Sequence, residues 1–145
     1  DLHSFPTRRS SDLAIYLRSF ARRKIDTEVL EERIGELKQR KTQLRAVKHS
    51  GLPRAKKQMD LSDAEAAIDS LIREYEQDIT RRMREESRIR ARIDEMPDPE
   101  ERKVLRLVYI LDKKLTWYEI AEEMSVSKRT AQNIHGRALQ HFGMP

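Results

Sequence analysis

Between Pro6 and Gly51 the chain contains no proline and one glycine, Gly35, and between Pro53 and Pro97 it contains neither residue. Turns depend on these two residues, so stretches this long without them leave little besides long helices. The apolar residues agree. From Ala14 to about Val47, Tyr16, Phe20, Thr27, Leu30, Ile34, Leu37 and Leu44 fall on a seam with helical spacing of three and four, interrupted by Arg23 and Lys41. HSGLP, residues 49–53, then supplies the Gly and Pro that stop a helix. A second seam runs through Ile68, Ile72, Tyr75, Ile79, Ile89, Ile93 and Met96, with Arg82 and Glu86 in the same stripe and Ser62 or Asp63 as its cap. This predicts helices at about 14–48 and 63–95, joined by a basic loop at 49–62, as an antiparallel coiled-coil hairpin over residues 14–96. The seam is narrow and partly polar, so the hairpin gains by pairing with a second copy or a partner protein. Its many charges read as a solvated surface rather than a DNA tract.

The segment before it, DLHSFPTRRSSDL (1–13), lacks an initiator Met. With one codon choice, it back-translates to a sequence that resembles a widely used sequencing-library adapter over its whole length. It is therefore expected to be disordered and foreign to the fold, and the Arg8–Arg9 pair is not counted as a DNA-binding arm.

MPDPEE (96–101) separates the hairpin from a C-terminal domain over 98–145. Asp98 suits an N-cap, Pro99 the first helical position, and Glu100 and Glu101 the positive end of a helix predicted from Pro99 to Asp112. Val104, Leu105, Val108 and Leu111 form its apolar side. The next stretch, TWYEIAEEMSVSKRTAQNIHGRAL (116–139), holds two helices with almost nothing between them. Thr116 and Glu119 have the spacing of a capping box. Ile120, Ala121 and Met124 face inward, Ser125–Val126 is the turn, and Ser127 caps a helix over about 128–141 whose inner face is Ala131, Ile134, Ala138 and Leu139. Lys128, Arg129, Gln132, Asn133, Gly136 and Arg137 point outward. From Ser127 to His141 there are three Lys or Arg residues and no carboxylate.

A short helix bracing a second whose N-terminal half is free is the helix-turn-helix arrangement, and the second helix can enter the major groove. Arg and Lys pair with guanine O6 and N7, and Gln and Asn with adenine N6 and N7. Ser127 at the helix N-terminus suits a phosphate, and Arg137 suits a phosphate or a salt bridge at the core edge. The DNA-binding set is thus Ser127, Lys128, Arg129, Gln132, Asn133 and Arg137. Trp117 and Tyr118 lie in the capping turn and are expected to pack against Leu107 or Ile110, a phosphate contact being the alternative for Tyr118.

This stretch resembles region 4 of the sigma-70 family. Thr116, Glu119, Ile120, Ala121, Met124, Val126, Ser127, Ala131, Ile134, Arg137, Ala138 and Leu139 all stand where the family pattern has those residue types. The preceding DPEERKVLRLVYI is similar to the preceding region 4 helix. Region 4 often has Gly at the turn, where this chain has Ser125. Nothing resembles the promoter-melting region 2, so a complete sigma factor is not expected. A charged helical hairpin followed by such a domain resembles small phage and prophage proteins described as sigma-like or ArpU-type transcriptional regulators. The resemblance implies double-stranded DNA as a partner, RNA polymerase as a second, and a place on the nucleoid of a bacterial host.

Other chemistry finds no support. The chain has no cysteine, which excludes disulfides and fits a reducing cytoplasm. The longest apolar run is LVYIL (107–111), far short of a membrane span. His49, His135 and His141 have no partner at ligand spacing, so no metal or other cofactor is expected. Glu122 and Glu123 point apart on a helix, and no nucleophile motif or phosphate loop is present, so no enzyme is expected. A net charge of +5 permits nucleic acid without demanding it. The expectation is an all-α regulator. Its rivals are a packaging protein resembling a terminase small subunit, which a neighbouring large-terminase gene would favour, and an adaptor on RNA polymerase that reads no DNA.

Overall fold

A computed structural model describes residues 9–48 and 55–143. Every regular element among them is helical: α1 (Ser10–Lys48), α2 (Ala55–Glu95), α3 (Pro99–Leu105) continued by a π-helical turn (Arg106–Ile110), α4 (Trp117–Met124) and α5 (Lys128–Gly143). The chain is all-α, as its periodicity predicts. Residues 1–8, with Arg8, and residues 49–54 of the expected 49–62 loop lie outside the described residues. The rest of that loop is helical: α2 opens at Ala55, so Ser62 and Asp63 lie inside the helix rather than capping it, the polar run 55–62 offering no Gly or Pro to stop it.

Two compact units share the long helices α1 and α2. One consists of residues 25–82. Its core is Ile34, Leu37, Ile68 and Ile72, flanked by half-buried Leu44, Tyr75 and Ile79, all taken from the predicted seams. Ion pairs Lys38–Glu76, Lys41–Asp69 and Arg45–Glu65 run along it. As the number on α1 rises, its partner's number on α2 falls, so the two helices are antiparallel here. Lys41, which breaks the seam, is thereby answered by Asp69, and Arg82 is answered by Asp78 and Thr27.

The other unit joins residues 9–24 and 83–95 to the C-terminal helices. One continuous core contains Leu13, Ala14, Leu17 and Phe20 of α1, Ile89, Ile93 and Met96 of α2 and its end, and the buried residues of α3, α4 and α5. This departs from the expected seam. Phe20 is in the core, but Tyr16 stands at its edge and donates its hydroxyl to Glu85 at 2.7 Å. Leu13 and Leu17, absent from the seam, are 0% and 1% exposed. A seam for one partner helix spans a narrow stripe, whereas a helix packed into a multi-helix core buries a wider one. Helix α1 also opens at Ser10, inside the segment set aside as foreign.

Polar side chains tie the end of α2 to this unit. Arg92 donates to the carbonyls of Phe142 (3.0 Å) and His141 (2.6 Å), satisfying acceptors that the end of α5 leaves open. Arg102 donates to the carbonyls of Met96 and Pro97, which fixes the bend between α2 and α3.

Candidate nucleic-acid interface

The frame of the interface is set by caps. Asp98 accepts from the amide of Glu100 at 2.9 Å, with Pro99 beginning α3. The predicted helix to Asp112 does not stay regular. It widens at Arg106–Ile110, where the amide of Leu111 reaches the carbonyl of Arg106. A π turn inserts a residue relative to an α-helix and shifts the inward face by one position. Tyr109 and Ile110 are therefore buried, while Val108 is only partly buried and Leu111 is exposed.

In α4 the capping box forms as the spacing predicts. The amide of Glu119 donates to Thr116 Oγ1 (3.3 Å), and the amide of Thr116 donates to Glu119 Oε2 (3.0 Å). At the far end Lys103 Nζ donates to the carbonyl of Glu123 at 2.7 Å. Ser125 then turns the chain with φ 56° and ψ 41°, the left-handed conformation that glycine adopts without strain. The amide of Ser125 donates to the carbonyl of Glu122 (3.1 Å), and that of Val126 to the carbonyl of Ala121 (3.0 Å). This paired closure is the Schellman motif. A serine performs here what the family pattern commonly gives to glycine.

Ser127 caps α5. Its hydroxyl accepts from the amide of Thr130 (3.1 Å) and donates to the hydroxyl of Thr130 (2.8 Å). The expected inner face is buried, and Phe142 extends it by one turn. Ala121 and Ala131, 5% and 0% exposed, let α4 and α5 cross closely. Lys128, Arg129, Gln132, Asn133 and Arg137 are all exposed on the outer side.

Within that outer set the roles differ. Arg129, Gln132 and Asn133 make no hydrogen bond or ion pair among the described residues. Lys128 Nζ lies 4.6 Å from the centre of the Tyr118 ring. Arg137 is committed inward: its Nε donates to Glu101 Oε1 at 3.1 Å, and its guanidinium also faces Asp98 at 3.6 Å. Of the two roles open to Arg137, this geometry is that of a core-edge salt bridge. Ser127 likewise spends its hydroxyl on Thr130, leaving the first amides of α5 as the donors for an anion.

Two polar clusters behind the outer face were not legible as such. Glu101, read as a first-turn charge, is 1% exposed and accepts from both Arg137 and His141 Nδ1 (2.8 Å). Tyr109 and His135 meet at 2.7 Å between the phenol oxygen and Nε2. Burial, reinforced by the nearby Arg18 guanidinium, lowers the His135 pKa to about 4, so the ring is neutral near pH 7. Burial also pushes the Tyr109 phenol up to about 12, against the opposing pull of Arg18. Trp117 stacks edge-on against His135, with centroids 5.1 Å apart, so its ring contact lies on α5. The only sequence signal for this cluster is the inward phase of positions 109 and 135 once the π turn is known.

Capped short helix, left-handed turn and exposed polar second helix together form a helix-turn-helix. Residues 98–141 match the family model "Sigma-70, region 4", so this part of the chain is a sigma-70 region 4-like domain. That family is a DNA-binding one, not a family of enzymes. No curated protein matches the chain, and no solved structure matches it. Among the described residues no helix is long and apolar enough to cross a membrane.

Proposed function

We propose that the chain is a regulator of phage or prophage origin that binds specific sites in duplex DNA. Helix α5 lies in the major groove with Lys128, Arg129, Gln132 and Asn133 toward the DNA and the N-terminal amides of α5 toward a phosphate. The observation that carries this reading is the outer face of α5, where those four side chains stand exposed on a helix without a carboxylate. The region 4 match supports it. The hairpin unit serves self-association or contact with RNA polymerase. In favour of this, its buried core among the described residues is four side chains, and it leaves Val29, Val47 and Leu71 exposed by 59%, 43% and 39%.

Selection from random duplexes, followed by titration over a salt series, tests the reading. A recovered site should bind with an affinity that falls steeply with salt, because each phosphate neutralised releases counterions. Replacing Gln132 and Asn133 together by Ala should cost about 1–3 kcal/mol for each bidentate pairing with a base that is removed, and should relax the site preference. Unchanged affinity and preference in that double variant would remove both residues from base reading. Pull-down of polymerase by a protein that retains no duplex would favour the adaptor role instead.

A further inference from the structure

The N-terminal end of α4 and the first turns of α5 enclose an open groove of about 580 Å³. Its walls include Lys114, Thr116, Tyr118, Lys128 and Gln132. Tyr118 is 71% exposed, unusual for a side chain of its size, and its ring carries the Lys128 ammonium on one face. An ammonium over an aromatic face is held by the ring quadrupole, and at an exposed site this biases the side chain's population severalfold. Two lysines, Lys114 and Lys128, thus line the groove beside the polar edge of α4. The end of α4 itself offers no comparable anion seat, because the Glu119 carboxylate already occupies it through the capping box.

Arg129 and Asn133 belong to a different stripe of α5. They are one helical turn apart, exposed, and uncommitted among the described residues. We propose that Tyr118 divides the labour on the DNA-facing surface. Its ring draws Lys128 away from the base edges and toward Lys114, where the pair takes a backbone phosphate. Sequence reading then falls on Arg129 and Asn133, with Gln132 at the border of the two stripes. Tyr118 is a positioning residue: it reads no base, yet it sets which side chains do. This inference rests on duplex binding by α5 as proposed above.

The test uses the full chain, a duplex recovered by selection, and fluorescence anisotropy over a salt series, with single-base variants of the site. Lys128→Gln should reduce the slope of log K against log salt by about 0.9, the share of one phosphate, and leave the preferred base at every position unchanged. Tyr118→Leu frees Lys128 and should introduce a preference for guanine at one position, since Lys pairs with O6 and N7. Tyr118→Phe, which keeps the ring, should restore the parental preference, and Tyr118→Leu combined with Lys128→Gln should lack the new guanine preference. A Lys128→Gln protein that changes the preferred base while keeping the parental slope would make Lys128 a base reader and overturn the inference alone. Absence of salt-sensitive duplex binding in the unmodified chain would overturn the inference together with the function on which it rests.

Discussion

Replacing Ser125 by Gly should stabilise the protein, and the amount follows from the turn. Ser125 is held at φ 56° and is the one non-glycine residue with positive φ among those described. For an L-residue this conformation costs roughly 1–2 kcal/mol, because Cβ approaches the following carbonyl oxygen. Glycine removes that cost but brings about 0.5–1 kcal/mol of extra chain entropy to the unfolded state. Ser125 is exposed and its hydroxyl makes no hydrogen bond among the described residues, so little else changes. The difference is a gain of about 0.5–1 kcal/mol, or roughly 2–3 °C in Tm for a chain of this size. Ser125→Val should move the other way by about 1–2 kcal/mol, since a β-branched residue is strained further in this region. Urea melts followed by circular dichroism, with m-values compared to ensure that the unfolded states match, measure both changes. If Gly fails to stabilise and Val fails to destabilise, the turn is not left-handed, and α4 does not end in a Schellman closure.

Glu101→Ala should destabilise by about 2 kcal/mol, toward the low end for a buried charge-assisted cluster, because its partners Arg137 and His141 are half exposed and can rehydrate. Arg137→Ala should cost less than Glu101→Ala and leave the preferred DNA site unchanged, which the same melts and a site selection would show. The His135 pKa is lower in the folded chain than in the unfolded one. Its contribution to stability is therefore complete above pH 6.5 and is lost as the pH falls toward 4, an interval worth about 3 kcal/mol. Denaturation at pH 7 and pH 4.5 should show this loss for the parent and a smaller one for His135→Gln; equal losses would refute the buried neutral ring. Leu17→Ala, at a site 1% exposed, should cost about 2–4 kcal/mol, as a core truncation does, and a cost near zero would detach α1 from the C-terminal core.

What could be read from the sequence was local. The capping box at Thr116 and Glu119, the inner face of α5 and the apolar stripe of α2 depend on residues three or four apart, and helical geometry alone brings those together. What could not be read depended on distant partners or on irregular backbone. Leu17 fell off the seam because nothing in a hairpin pattern announces further helices beside α1, and Leu13 was excluded with the segment 1–13 that resembles an adapter. The π turn moved burial from Val108 and Leu111 to Tyr109 and Ile110, and no residue type marks where such a turn falls. Glu101 passed for a surface charge because its partners lie 36 and 40 positions along the chain. In the DNA-binding set, residue types suggested who could touch DNA. Only tertiary packing revealed that Arg137 pairs with the buried Glu101 and that Lys128 leans on Tyr118.

The joining of residues 9–24 to 83–143 in one core has a consequence for synthesis. Leu13, Leu17 and Phe20 emerge from the ribosome well before Ala138, Leu139 and Phe142, which share their core. At about 5–20 residues per second, the intervening chain takes on the order of ten seconds to appear. Until then the start of α1 carries an apolar stripe whose cover is incomplete, with Ile89, Ile93 and Met96 arriving before the C-terminal helices. The domain that reads as a separable cassette thus completes a core whose first side chains were made on α1.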